Sequence, residues 1–219
     1  MKRKGIILAL VVSVVLCFSG FQSVFAATFS EKPNEKQVET VTYNFIKECK
    51  DGGYKLVDTE TLHSWVENKE KMIVIDTMPA AASYNKQHVP GAINSEAPMT
   101  EDKYTDTAKA GLLGQVNKLL PSKKVTTLKK VSKAAYSKLA KKNRVVKTVK
   151  GKKVYYKKTV KNVKDKGYKI VVYCGHVGCA RSHVAAKYLV QKGFTNVYRY
   201  GGGISAWVDA GYPVASVQA

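Results

Sequence analysis

Two cysteines, Cys174 and Cys179, stand in a stretch of sequence whose residue types suit a reactive thiol. Val171-Val172-Tyr173 is an apolar, largely β-branched run that ends on Cys174. Gly175-His176-Val177-Gly178 reads as a short loop, and an alanine-rich helical pattern follows from Ala180-Arg181-Ser182-His183 onward. A thiol placed where a strand stops and a helix starts lies among converging backbone N–H groups, at the positive end of a helix dipole. That placement predicts a lowered pKa for Cys174, and the thiolate is the nucleophilic form. Gly175 and Gly178 are expected to let the loop turn its N–H groups inward. Arg181 is the expected partner of an anion held in this loop. Ser182 is expected to cap the helix, with its hydroxyl in reach of the thiolate. Gly175, His176, Val177, Gly178, Cys179, Ala180 and Ser182 together make the expected substrate-binding loop.

Cys179 has two readings: a resolving thiol that closes a reversible disulfide onto Cys174, or a spectator. Cys174, His176, Cys179 and His183 also spell a Cys-x-His-x2-Cys-x3-His ligand set. Its spacing matches no common structural zinc motif, and ligation would block the nucleophile. No metal and no organic cofactor is therefore expected. Elsewhere, Asp76 is expected to fix the loop after its strand, His88 to make a structural hydrogen bond near a Pro-Gly turn, and Trp207 to be core. Cys49 reads as a buried filler.

The elements that must position this loop follow from hydrophobic pattern. A helix is predicted near residues 35–50, then a short strand at 54–57 and a helix opened by Asp58 or Thr59. Met72-Ile73-Val74-Ile75-Asp76 is a continuous apolar run, as in a strand covered on both faces. A short helix is predicted through Tyr84, a strand ending at Asn94 and a helix at about 105–120. Strand 170–173 feeds the cysteine loop and a helix to Lys192. A last strand at 196–200, a triple-glycine turn and a closing helix at 204–210 complete the pattern. Strands alternating with helices imply a parallel sheet with helices on both faces, and ligands in such sheets sit beyond the carboxyl ends of the strands. Cys174 is at such an end.

The N-terminus reads as an export signal over residues 1–26. Lys2, Arg3 and Lys4 precede an apolar stretch at 6–18, and Val24-Phe25-Ala26 suits cleavage after Ala26. A lipoprotein cysteine at Cys17 and an uncleaved anchor remain alternatives. Cleavage would leave three cysteines, Cys49, Cys174 and Cys179, which is no disulfide scaffold. Charge is uneven. Residues 123–169 hold 19 basic side chains against one acidic, Asp165, a net +18 of the chain's +21, and the signal's three cations supply the remainder. The basicity belongs to an insert at about 123–166, predicted as a helix (Val125, Leu128, Val131, Ala135, Leu139) followed by a hairpin about Lys150-Gly151-Lys152-Lys153. It reads either as a solvated face or as a contact for anionic cell-wall polymer or a membrane surface. Nucleic acid is not an expected partner of an exported chain.

Taken together, the motifs resemble the rhodanese-like domain family. Ile73-Val74-Ile75-Asp76-Thr77-Met78-Pro79 is similar to its first signature, and His88-Val89-Pro90-Gly91-Ala92-Ile93-Asn94 to its His-Ile-Pro-Gly-Ala-Ile-Asn motif. The cysteine loop and Tyr200-Gly201-Gly202-Gly203-Ile204-Ser205-Ala206-Trp207 through Val214 resemble its C-terminal half. The resemblance covers about residues 54–214, interrupted by the insert, after an N-terminal helical extension at 27–53 and before a tail at 215–219. It implies an α/β fold with about five parallel strands, the Lys-rich helix–hairpin insert being an addition. It also implies a persulfide-forming cysteine that moves sulfane sulfur, from a thiosulfate or polysulfide class donor, to a thiol or other thiophilic acceptor. Two features depart from the family. Six residues rather than four separate Cys174 from Arg181, and Met78 stands where many members have arginine. The alternatives from other classes are a non-catalytic thiol, metal or metalloid-binding module, and a cell-surface protein that binds polyanions through its lysines.

Overall fold

The computed structural model describes residues 34–217. The expected signal, its cleavage point after Ala26 and Cys17 lie outside the described residues. The chain divides into two compact units, Met1–Asn44 and Phe45–Ala219. Helix α1, Glu35–Gly52, crosses that division. Its first turns are the described part of the N-terminal unit, and everything below concerns the second. Among the described residues no helix is long and apolar enough to cross a membrane.

In chain order the second unit then contains β1 (Lys55–Val57), α2 (Thr59–Glu67), β2 (Met72–Asp76), β3 (Ile93–Asn94), α3 (Asp106–Leu119), β4 (Ser122–Val131), α4 (Lys133–Ser137), β5 (Arg144–Val149), β6 (Lys152–Lys164), β7 (Lys169–Tyr173), α5 (Arg181–Gln191), β8 (Val197–Tyr200) and α6 (Gly203–Asp209). Five strands form a parallel sheet in the order β1-β8-β7-β2-β3. β2 is apolar from Met72 to Ile75 and β7 from Ile170 to Tyr173 because both faces are covered. Ile73, Ile75, Ile170 and Val172 pack with Leu112 and Val116 of α3 and Val184 and Leu189 of α5. Val74, Val171 and Tyr173 face the other way, onto Leu62 of α2 and Trp207 of α6. Alternation with period two thus builds two cores from one run. Side-chain caps start two of the covering helices: Asp58 Oδ1 accepts from Thr61 N at 2.7 Å, and Thr105 Oγ1 accepts from Ala108 N at 3.2 Å.

Register aligns the carboxyl ends of the strands. Val57 pairs with Tyr200, Tyr200 with Tyr173, Tyr173 with Asp76, and Asp76 with Asn94. One residue beyond this row is Cys174. The expected strand before Asn94 shrinks to β3, and the predicted short helix at Pro79 is a single turn of π-helix, Ala80–Tyr84. His88 Nδ1 lies 2.8 Å from Tyr84 O, and Trp207 is fully buried, with Nε1 donating to Pro213 O at 2.7 Å.

The Lys-rich insert departs from expectation. Residues 122–131 are not helical; they form β4, which pairs antiparallel with β6 along ten residues. The spacing of Val125, Leu128 and Val131 fits a helix face locally. Pairing with β6, some thirty residues on, decides otherwise, and Val and Thr at 125–127 suit a strand. Only Lys133–Ser137 is helical. The predicted hairpin is present as β5–β6, turning at Lys150 and Gly151 with φ of 48° and 73°, the handedness a two-residue hairpin requires. No residue of 122–164 is buried.

Gly203 makes the closest backbone approach to the cysteine loop. It has φ +63°, and a Cβ there would lie 2.4 Å from Cys174 O and 2.7 Å from Gly175 O. The approach lets Ile204 N donate to Cys174 O and Ser205 N to Gly175 O, both at 2.9 Å. The Gly203→Ala variant is expected to lose about 1–3 kcal/mol of stability, from left-handed strain and the clash together. Denaturant titration checks the loss. A variant as stable as the parent would show that the loop is not pinned here.

Candidate active site

Cys174 follows β7 directly and is fully buried beneath its loop. Its S–H donates to the carbonyl O of Cys179 at 3.0 Å, and its sulfur lies 3.2 Å from Ser182 Oγ. Arg199, at 0 % exposure in β8, ties both neighbours together: Nε donates to Ser182 Oγ at 3.0 Å, and Nη2 to Cys179 O at 3.1 Å. Because Arg199 already donates to Ser182 Oγ, the serine hydroxyl hydrogen is free to point at Cys174. The hydrogen bonds close a ring: Arg199 to Ser182, Ser182 to Cys174, Cys174 to the Cys179 carbonyl, and Arg199 to that same carbonyl. The remaining guanidinium nitrogen, Nη1, donates to Glu48 Oε2 at 2.6 Å and to Tyr54 OH at 3.1 Å. Phe45 lies over the guanidinium at 4.7 Å.

The electrostatics of the two thiols are opposite to expectation. The Cys174 pKa is raised, first by its hydrogen bond with the Cys179 sulfur and then by burial. The Cys179 pKa is lowered to about 5 by that same S–H, helped by the backbone N–H groups of Gly175 and Arg181 and by His176. The loop N–H groups converge as predicted, but on the second sulfur. Cys174 faces carbonyl oxygen, which keeps its proton on. The pair shares one proton, and the ionised member is Cys179.

Several expected roles move. Arg181 does not face the thiols; its guanidinium donates to Ala97 O and lies 3.9 Å from Glu96. The cation beside the thiols is Arg199. Ser182 is the second residue of α5 and does not cap it, whereas Ala180 precedes the helix with no side-chain cap. Gly175 lies outside the left-handed region. His176, Val177 and Gly178 form the exposed crown of the loop, where Gly178 N donates to His176 Nδ1 at 3.2 Å. His183 points away, with Nδ1 3.0 Å from Tyr54 OH, so Cys174, His176, Cys179 and His183 do not converge as metal ligands. Among the described residues, the one group of His and carboxylates within ligand distance is Asp51, Glu101 and His183, and the Lys187 ammonium already bridges its two carboxylates. Asp76 does hold the loop after its strand, Oδ1 accepting from Met78 N at 2.8 Å; burial raises its pKa. Cys49 is half-buried. Beside the crown opens a cavity of about 490 Å³, lined by Phe45, Leu56, Trp65, Val177 and Tyr198 among others.

Residues 133–210 match the model of the rhodanese-like domain family. Over those residues the chain is similar to a rhodanese-like domain. The match starts inside the Lys-rich lobe and takes in β7, the cysteine loop, α5, β8 and all of α6. The strands β1–β3 lie ahead of it yet complete the same sheet. No curated protein matches the chain. Solved structures similar to it include a thiosulfate sulfurtransferase from Pseudomonas aeruginosa, at 15 % identity and TM-score 0.48, over 81 % of this chain and 23 % of that one. A rhodanese-related protein from Thermoplasma volcanium is similar at 18 % identity and TM-score 0.40, over 75 % of this chain and all of the other. A rhodanese-like domain from Anabaena is similar at 18 % identity and TM-score 0.40, over 74 % of this chain and 79 % of that one.

Arg199 is the site residue that sequence reasoning missed. Its signal was present: a cation within Val197-Tyr198-Arg199-Tyr200, in a sheet covered on both faces, must be paired internally. The shared proton has a measurable consequence. Alkylation of reduced protein is expected to rise through about pH 5, the titration of Cys179, and not near the ordinary thiol value. In Cys174→Ala the donor S–H is gone, and the inflection should move upward by one unit or more. Iodoacetamide rates with peptide mapping check both. An unchanged inflection in the variant would show that the two sulfurs do not share a proton.

Proposed function

We propose that this chain is an exported sulfurtransferase that carries sulfane sulfur as a persulfide on Cys174. The observation that carries the reading is the buried, strand-terminal Cys174, its S–H donating to the Cys179 carbonyl at 3.0 Å, with the Cys179 thiol of lowered pKa in the same loop to act as proton acceptor. Cys179 takes the proton, and the Cys174 thiolate attacks the outer sulfur of a thiosulfate or polysulfide donor. The donor S–S bond breaks, sulfite or a shorter polysulfide leaves with the bonding pair, and Cys174 keeps the persulfide. An acceptor thiolate then attacks the outer persulfide sulfur, and Cys174 recovers its proton from Cys179. Without an acceptor, Cys179 attacks Cys174 instead, expels hydrosulfide and closes a disulfide, which a dithiol reductant must reopen. Since Cys174 is buried, the donor enters as the exposed crown at residues 176–178 moves aside. The apolar cavity beside Val177 suits an acceptor thiol with apolar substituents.

Thiosulfate treatment of reduced protein followed by peptide mass spectrometry tests this. One added sulfur on the Cys174 peptide is expected, absent in Cys174→Ala. In Cys179→Ala it should still form but about a hundredfold more slowly at neutral pH, as loss of a positioned base implies. Sulfur on Cys179 alone, or on neither residue, would overturn the assignment.

We also propose that the lobe formed by β4, β6 and β5 binds an anionic polymer of the cell envelope. Lys129 pairs with Lys157, and Lys157 with Arg144, so three cations stand in a row across the sheet. Like charges directly opposite destabilise a sheet, and a polyanion relieves them. The Lys157→Glu variant should make the lobe more stable, by pairing with both neighbours, yet bind immobilised polyphosphate more weakly and with a smaller salt dependence. Thermal melts and salt elution read the two effects. Undiminished retention of the variant on polyphosphate would rule out a polyanion-binding role for this row.

A further inference from the structure

The cysteine loop gathers sulfur from outside itself. Met99 Sδ lies 3.8 Å from Cys179 Sγ, and the Cys174 sulfur lies 3.0 Å from the Cys179 carbonyl, the two thiols perturbing one another. Met78 packs against the same loop, its Sδ and Cε 3.4 Å from where a Cβ on Gly175 would stand. Met99 is 44 % exposed, so the core does not dictate its position over the thiols. Harder donors are turned elsewhere: His183 to Tyr54, His176 to Gly178 N, and Asp76 Oδ1 to Met78 N. What converges is two thiols and a thioether, with a second thioether at the loop's edge. Thiolate and thioether ligands select soft ions, Cu(I) before the harder divalent metals.

We propose that Cys174, Cys179 and Met99 form a binding site for a single Cu(I) ion. Three sulfurs in a plane about a metal, with metal–sulfur bonds of about 2.3 Å, have edges of about 4 Å. The Cys179–Met99 separation already meets that edge. Cu(I) displaces the one proton the pair holds, which leaves to solvent; no electron is transferred, and the ion enters already reduced. The bis-thiolate complex carries one negative charge. The backbone N–H groups of Gly175 and Arg181 and the Arg199–Ser182 hydrogen bonds stand ready to stabilise it. A bound ion occupies both sulfurs, so the copper form cannot accept a sulfane sulfur. The site does not depend on the sulfurtransferase reading, because ligation needs only the three sulfurs.

Anaerobic titration of the reduced full chain with Cu(I), in competition with the chromophoric chelator bicinchoninate, tests the site. One equivalent should pass from chelator to protein, and X-ray absorption at the copper edge should show a shell of sulfur only. Cys174→Ser and Cys179→Ser should each abolish competition. Met99→Leu, a near-isosteric change at a half-exposed position that leaves the fold intact, should weaken binding about tenfold through loss of one soft ligand. Circular dichroism verifies folding of all three. The proposal fails if Met99→Leu binds as tightly as the parent, if nitrogen or oxygen donors fill the copper shell, or if Zn(II) displaces Cu(I) at equal concentration. Persulfide formation by the copper-free chain is scored separately, so loss of one reading leaves the other standing.

Discussion

A guanidinium with no access to water must find all its partners inside the protein, and the loop around Cys174 is built on that requirement. Arg199 is fully buried, and it answers with Ser182, the Cys179 carbonyl, Glu48 and Tyr54. Removing one partner from such an arrangement leaves an uncompensated buried charge, typically about 3–5 kcal/mol. The cation therefore holds α1, β8, the loop and the start of α5 in one arrangement. It does so without touching either sulfur directly. Its influence passes through the Ser182 hydroxyl on one side and the Cys179 carbonyl on the other.

That arrangement separates the roles of the two thiols. Cys174 lies at the end of a central strand, where its neighbours are a carbonyl, a hydroxyl and apolar side chains. Cys179 lies where the loop turns back, against the N–H groups of Gly175 and Arg181. Burial penalises charge on both; Cys179 has two backbone N–H groups to offset it, while Cys174 has one, from Ser182, which burial outweighs. The result is a proton shared between a protected sulfur and an ionised one, a pair suited to relay. The Gly203 turn supports the loop, since Ile204 N and Ser205 N donate to the Cys174 and Gly175 carbonyls.

The lobe follows different rules. A sheet of three strands without a buried residue is held by its ladders, its turn and pairs such as Tyr136 with Tyr155 at 4.9 Å, while its own cations oppose one another. Charge, not packing, determines its surface. The parallel sheet contains the apolar order of the second unit; the lobe contains nearly all of its net charge.

The sequence by itself determined the strands of the parallel sheet, the main covering helices, the sheet type and the place of the cysteine loop beyond a strand end. Those features arise from local causes: apolar runs, capping residues, glycines at turns and the two-residue hairpin at Lys150-Gly151. Tertiary structure alone decided which sulfur is ionised, because that depends on where N–H groups and carbonyls from separate segments point. It decided that Arg199, not Arg181, is the cation by the thiols, although Arg181 is much the nearer in sequence, because only strand register and burial bring Arg199 to the loop. It also made a strand of residues 122–131, whose three-residue apolar spacing is ambiguous until β6 arrives to pair with it. Met99, more than seventy positions from Cys174, is beside the thiols only because the chain folds back. Period and capping act within a few residues, while charge and ligation act through space. The first could be read from the chain, and the second had to be folded.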